Sequence, residues 1–267
     1  MHTNALPISD LVSDFAQPPF VSVSGLNKTY PNGLAVLQDV SFTARSGDFI
    51  SLIGPSGCGK STILRLLAGL MESTSGSMII DGLVPKNARE ITSFVFQEAT
   101  LLPWRNVESN VALTLELEGV SRRRRKEKTA QLLKLVGLED FSHLYPRQLS
   151  GGMKMRVSIA RALASSPRLL LMDEPFGALD EITRNRLNEE LLRLKQKQKW
   201  TAFFVTHSVA EAVFLSNRVL VMAARPGRIS REIAIDLPAE RSAELREDKH
   251  YQELVSQVAA ALHEVHA

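Results

Sequence analysis

A chain of 267 residues with 44% hydrophobic side chains can bury a core, as one large domain or two small ones. Its 32 Lys and Arg exceed its 29 Asp and Glu by only three, which excludes the bulk basic signature of a nucleic-acid binder. A single cysteine, Cys58, cannot staple a fold, and no apolar run approaches the ~20 residues of a spanning helix, so the expectation is a cytosolic protein that meets any membrane through a partner.

Residues 1–19 have little periodicity, carry Asp10 and Asp14 where a secretory leader is basic, and close on Pro18-Pro19, which predicts a loose extension. Val21 and Val23 alternate with serines toward Tyr30, Pro31-Asn32-Gly33 turns, and Val36 to Thr43 returns as a second strand. Arg45-Ser46-Gly47 turns again into Phe49-Ile50-Ser51-Leu52-Ile53, a buried strand. These segments predict an antiparallel sheet laid before the core.

Next comes Gly54-Pro55-Ser56-Gly57-Cys58-Gly59-Lys60-Ser61, followed by Thr62, a match to G-x-x-x-x-G-K-[ST]. A strand precedes it, and Ile63, Leu64, Leu66, Leu67 and Leu70 follow at helical spacing. Gly57 and Gly59 let the backbone curl so that several N–H groups aim at one anion, and the helix N-terminus adds about half a positive charge there. Lys60 can reach β/γ-phosphates and the Ser61 hydroxyl can sit on Mg²⁺, so this is a nucleotide triphosphate site. Cys58 reads as a small side chain in that loop, or as a reactive thiol beside a cation.

Ser73-Thr74-Ser75-Gly76 breaks the helix, Met78 to Asp81 is a strand ending in a turn at Gly82, and Phe94-Val95-Phe96 is a short strand stopping at Gln97. From about 98 to 165 the pattern is helical, over Val107 to Leu117, Lys126 to Val136 and Gly152 to Leu163. The basic run Arg122 to Lys126 reads as a solvated helix face, with contact to anionic lipid as the alternative. Strands resume at Leu169 to Met172, a helix covers Ile182 to Gln196, and strands follow at Ala202 to Val205 and Val219 to Met222. After Pro226-Gly227 the pattern predicts a strand at Ile233 to Leu237 and a helix from about 243 to 264, whose stripe of Tyr251, Leu254, Val258, Leu262 and Val265 packs on its own domain or on a partner.

Asp173-Glu174 stands at the exposed end of the 169–172 strand, where open parallel sheets bind ligands. Asp173 suits Mg²⁺, and Glu174 suits a base that orients or deprotonates an attacking water. Leu149-Ser150-Gly151-Gly152-Met153 opens a helix and forms a second anion site. His207 follows the Phe203 to Thr206 strand.

Together these motifs resemble the ATPase subunit of ATP-binding cassette (ABC) transporters over roughly residues 20 to 230. The resemblance implies an α/β fold: a P-loop NTPase (RecA-like) core with an antiparallel β subdomain and a helical insertion at about 98–165, the ATPase domain running over 20–240 and a helical tail over 241–267. It implies ATP and Mg²⁺ as ligands, with Gly54 to Thr62 as the Walker A loop, Asp173 as the Walker B carboxylate and Glu174 as the catalytic glutamate. Gln97 resembles the Q-loop glutamine that touches Mg²⁺ and senses the membrane partner. Ser150, Gly151 and Gly152 resemble the signature that contacts the γ-phosphate held by an opposite subunit, Ala178-Leu179-Asp180 the D-loop, and His207 the switch histidine. Tyr30 resembles the aromatic that stacks on adenine, or is a plain aromatic closing a strand. Met153 and Met155 depart from the family's usual glutamines, and Gly177-Ala178 from its commoner serine-alanine, without touching the serine-glycine anion site.

One loop and one signature per chain imply a head-to-tail pair, each loop facing the other chain's signature. Gln97 to Trp104, Met172 to Asp180 and Arg225-Pro226-Gly227-Arg228-Ile229 are similar to the nitrate/sulfonate/taurine/bicarbonate importer group. That implies permease subunits, an exported binding protein acting through them, a second ATPase subunit, no nucleic acid, and a peripheral place on the cytoplasmic face of the inner membrane. Trp104 reads as a contact to the membrane subunit or as a buried residue closing a loop. A soluble ABC ATPase of DNA or ribosomes would carry a coiled-coil insertion or a second cassette, and a P-loop kinase would leave Ser150 to Gly152 and His207 unexplained.

Overall fold

Alternation along four strands builds the core. In the computed structural model, which describes residues 18–177 and 179–265, β3 (Phe49–Ile53), β6 (Leu169–Asp173), β7 (Thr201–Val205) and β8 (Arg218–Ala223) are buried almost throughout. Phe49, Ile53, Leu170, Met172, Ala202, Phe204, Val219 and Val221 face one apolar cluster, and Ile50, Leu52, Leu169, Leu171, Phe203, Val205, Leu220 and Met222 face another. A strand of period two, buried on both faces, is the pattern of a covered parallel sheet.

These strands form a six-stranded sheet in the order β5-β6-β7-β3-β8-β9, with β5 (Thr92–Val95) parallel at one edge and β9 (Arg228–Ala234) antiparallel at the other. A second sheet, β2-β1-β4, is built from β1 (Val21–Thr29), β2 (Ala35–Ala44) and β4 (Ser75–Ile80), all antiparallel. Helix α1 (Lys60–Leu67) packs in the cluster between the two sheets through Ile63, Leu64, Leu66 and Leu67. On the other face lie α2 (Val107–Val111), α3 (Leu113–Leu117), α4 (Arg122–Leu135), α5 (Gly151–Ala164), α6 (Glu181–Lys197), α7 (Val209–Leu215) and α8 (Lys249–Glu264).

Several element boundaries differ from the sequence reading. The antiparallel sheet takes β4 as its third strand, whereas β3 belongs to the other sheet. Helix α1 ends at Leu67 and the chain turns at Gly69 (φ 63°), leaving Leu70 57% exposed. Strand β5 stops before Phe96, which stacks on Phe94. The helix read over 107–117 divides at Ala112, and α4 begins at Arg122, so the basic run is the exposed first turn of a helix, with Arg123 paired to Glu127 and Arg125 to Glu116. Helix α7 was not read from the sequence. The strand expected at 233–237 is β9 at 228–234, drawn earlier by its antiparallel pairing to β8. Residues 243–247 form a 3₁₀ turn, and α8 starts at Lys249, capped by the Asp248 side chain. Its stripe packs inward: Tyr251, Leu254 and Val258 are buried, and Leu262 and Val265 pack against the same cluster. Of the extension expected over 1–19, residues 1–17 lie outside the described residues, as does Ala178.

Candidate functional site

Strand order brings the polar residues together. β7 lies between β6 and β3, so His207 after β7 falls between Glu174 after β6 and the loop after β3, all at the carboxyl ends of parallel strands. A cavity of about 320 Å³ is lined by Val36, Ser56, Gly57, Gly59, Lys60, Ser61, Thr62, Gln97, Glu174 and His207.

The loop is built for close approach. Gly59 has φ 97° at the start of α1, and a Cβ there would lie 2.5 Å from Leu37 Cδ2, so only glycine curls the chain against β2. Lys60 is 5% exposed, with Nζ 2.8 Å from Gly54 O and 2.9 Å from Pro55 O. The Ser61 hydroxyl donates to Asp173 Oδ1 at 2.8 Å. Burial pushes the Asp173 carboxyl up, opposed by the Ser61 hydrogen bond. Cys58 is fully buried, and burial raises its thiol above the ordinary range against the opposing Lys60 charge, which favours the small-side-chain reading over a reactive thiolate.

Glu174 carries φ 48°, a left-handed conformation rare outside glycine, and its N–H donates to Val205 O. Its two oxygens divide between neighbours. Oε1 lies 2.6 Å from His207 Nε2, and Oε2 accepts from Gln97 Nε2 at 3.4 Å. A carboxylate so held, beside a loop of N–H donors and a lysine, can orient a water for attack on a bound anion.

Other predicted residues are not part of this lining. Ser150 caps α5, its Oγ accepting from Met153 N at 3.2 Å; Ser150 and Gly151 are exposed, Gly152 is buried, and none of the three lines the cavity. Tyr30, with Lys28 Nζ 5.6 Å from its ring centroid, is also outside that lining. Trp104 is 71% exposed, which removes the buried-closure reading. Its loop is fixed from below by the buried Asn110, whose amide bonds Leu102 on both backbone atoms and also Arg105 O.

The sequence profile of ABC transporters matches residues 37–177. The chain belongs to the ABC transporter family. This ABC cassette is 42% identical over 241 residues to the aliphatic sulfonates import ATP-binding protein SsuB of Bacillus cereus, spanning 89% of this chain and 94% of that one. It is 42% identical over 240 residues to the taurine import ATP-binding protein TauB of Rhizobium johnstonii, spanning 88% and 91%. Its fold matches the dimeric post-hydrolysis structure of the ATP-binding cassette MJ0796 bound to ADP and Pi, with a TM-score of 0.72, 32% identity, and coverage of 82% of this chain and all of that one. The cassette is therefore an ATPase on the P-loop, RecA-like fold with an antiparallel β subdomain. No helix among the described residues is long and apolar enough to cross a membrane.

One residue packed against this ABC cassette's phosphate loop is legible in the sequence only as part of a turn and of a subgroup resemblance. Gly227 donates its N–H to Val36 O and accepts from Gln38 N, and a Cβ there would lie 2.0 Å from Cys58 O. The backbone at Gly227, just before β9, thus packs against the phosphate loop. Gly227→Ala is expected to cost about 1–3 kcal/mol of stability and to weaken ATP binding, since backbone on one side or the other must shift. Thermal melts and ATP titration check this; wild-type values in both would sink it. The Pro226-Gly227 pair was a visible signal, but its target, the Cys58 carbonyl, was not.

Proposed function

We propose that this cassette powers the import of a small anionic solute (a sulfonate, taurine, nitrate, bicarbonate or similar) as a peripheral subunit on the cytoplasmic face of a membrane. The observation that carries the reading is the similarity, over nearly their full lengths, to a sulfonate and a taurine import cassette. Exposed Trp104, on a loop braced by Asn110, supports a permease contact beside Gln97. Residues 20–240 would be the catalytic cassette, and 241–267 a tail that packs on it through Tyr251 and Leu254.

In this reading Lys60 and the N–H groups of the Gly54 to Thr62 loop, Pro55 excepted, bind the β/γ-phosphates, with Tyr30 against the adenine. Ser61, Asp173 and Gln97 would hold Mg²⁺. The fit is chemical: Ser61 and Asp173 offer adjoining hard oxygens, and a carboxylate penalised by burial gains from a cation. The ion would neutralise charge on the phosphates. Glu174, held by Gln97 and His207, orients the water and takes its proton. Ser150, Gly151 and Gly152, outside the cavity lining of their own chain, would face the γ-phosphate of a second copy, so ATP closes a head-to-tail pair and hydrolysis reopens it.

The test is purification of the tagged chain from its own cell's membranes in mild detergent. A co-purifying multispanning protein, encoded beside an exported binding protein, is expected. Recovery only with ribosomes or DNA would sink the importer reading and leave the ATPase chemistry standing.

A further inference from the structure

The positive charge of this chain is unevenly placed. The net charge of the whole is only +3, yet residues 116–128 set six cations, Arg122 to Lys126 and Lys128, against three acids, Glu116, Glu118 and Glu127. Arg122, Arg123, Arg124 and Lys126 are exposed at the start of α4, which packs on its neighbours through Thr129, Leu132 and Leu133 further along.

Folding does not account for this run. The N-terminus of a helix carries positive potential, so cations there oppose helix formation, and Arg122 with Lys126 adds a like-charge pair four residues apart. No acid lies in the first turn of α4, and the Ser121 side chain makes no capping hydrogen bond. Arg123 is paired to Glu127 at 3.1 Å, and Lys128 donates to Ser166 Oγ at 2.9 Å. Among the described residues, Arg122, Arg124 and Lys126 have neither an ion pair nor a side-chain hydrogen bond.

Arg125 fixes where the run sits. Its Nη1 lies 3.7 Å from Glu116 Oε2, the oxygen that also accepts from Arg105 Nη1 at 2.7 Å. One carboxylate thus gathers the start of α4, the end of α3 and the loop that carries Trp104. Next to Glu116 is Leu117, 80% exposed, and next to Arg105 is Trp104, the residue given above to the permease. The three cations and Leu117 therefore flank the proposed permease contact, where the leaflet around a permease lies. Headgroup phosphates can take the cations, and the acyl boundary beneath them can take the leucine. A nucleic acid would satisfy the cations and leave Leu117 in water.

We propose that the start of α4, with Leu117, docks on anionic phospholipid headgroups, a membrane attachment separate from the permease contact. Arg122, Arg124 and Lys126 supply the charge, and Leu117 inserts between the headgroups. The inference deepens the reading of this chain as a peripheral membrane subunit and rests on that reading, but the contact can be measured without a permease.

The experiment sediments the full chain with vesicles of phosphatidylcholine, alone or carrying about 30% phosphatidylglycerol as the anionic lipid. Binding is expected to the anionic vesicles only, and to fall steeply between about 0.1 M and about 1 M salt. The combined variant Arg122→Gln, Arg124→Gln, Lys126→Gln is expected to lower partitioning about 10²-fold, and Leu117→Ser about fivefold. Neither lies in the nucleotide cavity, so ATP hydrolysis by the chain alone should be unchanged, and the triple variant should melt no lower than wild type. Equal binding to both vesicles, or a triple variant that binds as wild type does, would overturn the contact. So would tighter binding to duplex DNA than to anionic vesicles, with Leu117→Ser indifferent in both. A chain that co-purifies with a permease and ignores anionic vesicles would overturn the lipid contact alone. Vesicle binding by a chain that brings no permease would support the contact and remove the importer reading instead.

Discussion

Glu174→Gln is expected to lower ATP turnover by about 10²–10⁴-fold and to leave the chain as an ATP-bound dimer. Glutamine keeps the size of the side chain and can still meet His207 and Gln97, whose nitrogens lie 2.6 and 3.4 Å from the two carboxylate oxygens. What it loses is the basicity that takes a proton from the attacking water. The groups proposed to hold the nucleotide, Lys60 and the loop N–H donors, are untouched, so ATP is expected still to bind. The shared γ-phosphate then persists, and with it the ligand's preference for the closed pair. Light scattering with and without ATP, alongside phosphate release, reads both halves of the expectation. A variant that stays monomeric in ATP would count heavily against dimer closure as the working step.

Lys60→Met is expected to weaken ATP binding about 10–100-fold, the loss of a charge-assisted hydrogen bond of about 1.5–3 kcal/mol. Methionine retains the buried stem and removes only the ammonium, so the change isolates charge from packing. The amine's hydrogen bonds at 2.8 and 2.9 Å go to the neutral carbonyls of Gly54 and Pro55, partners it can exchange for phosphate oxygens as the loop fills. Titration calorimetry with ATP gives the affinity, and an unchanged value would mean that the loop N–H groups carry binding alone.

The proposed site is largely legible in the sequence because backbone anion cradles are local. Gly57, Gly59, Lys60 and Ser61 act within a few residues of one another, and glycine at a position such as 59, with φ 97°, is required wherever they act. Asp173 and Glu174 were legible for a related reason: a run of apolar residues that ends in acids marks the mouth of a parallel strand. Short elements were less legible. The seven residues of α7 read equally as strand or helix, and β9 took its place from its pairing to β8.

The sequence by itself determined the chemistry: a phosphate cradle, a carboxylate pair, a histidine after a strand and a serine-glycine helix start, each defined by neighbours along the chain. Only the tertiary structure decided which of these meet. It put β7 between β6 and β3, and so joined His207 to Glu174. It left Ser150 to Gly152 outside the cavity lining and set Gly227 against Cys58. These contacts join segments tens of residues or more apart, and strand order and helix packing bring them together through the burial of two apolar faces. Spacing along a sequence carries the geometry of a turn or a helix face, but not that of a sheet whose strands pair out of order.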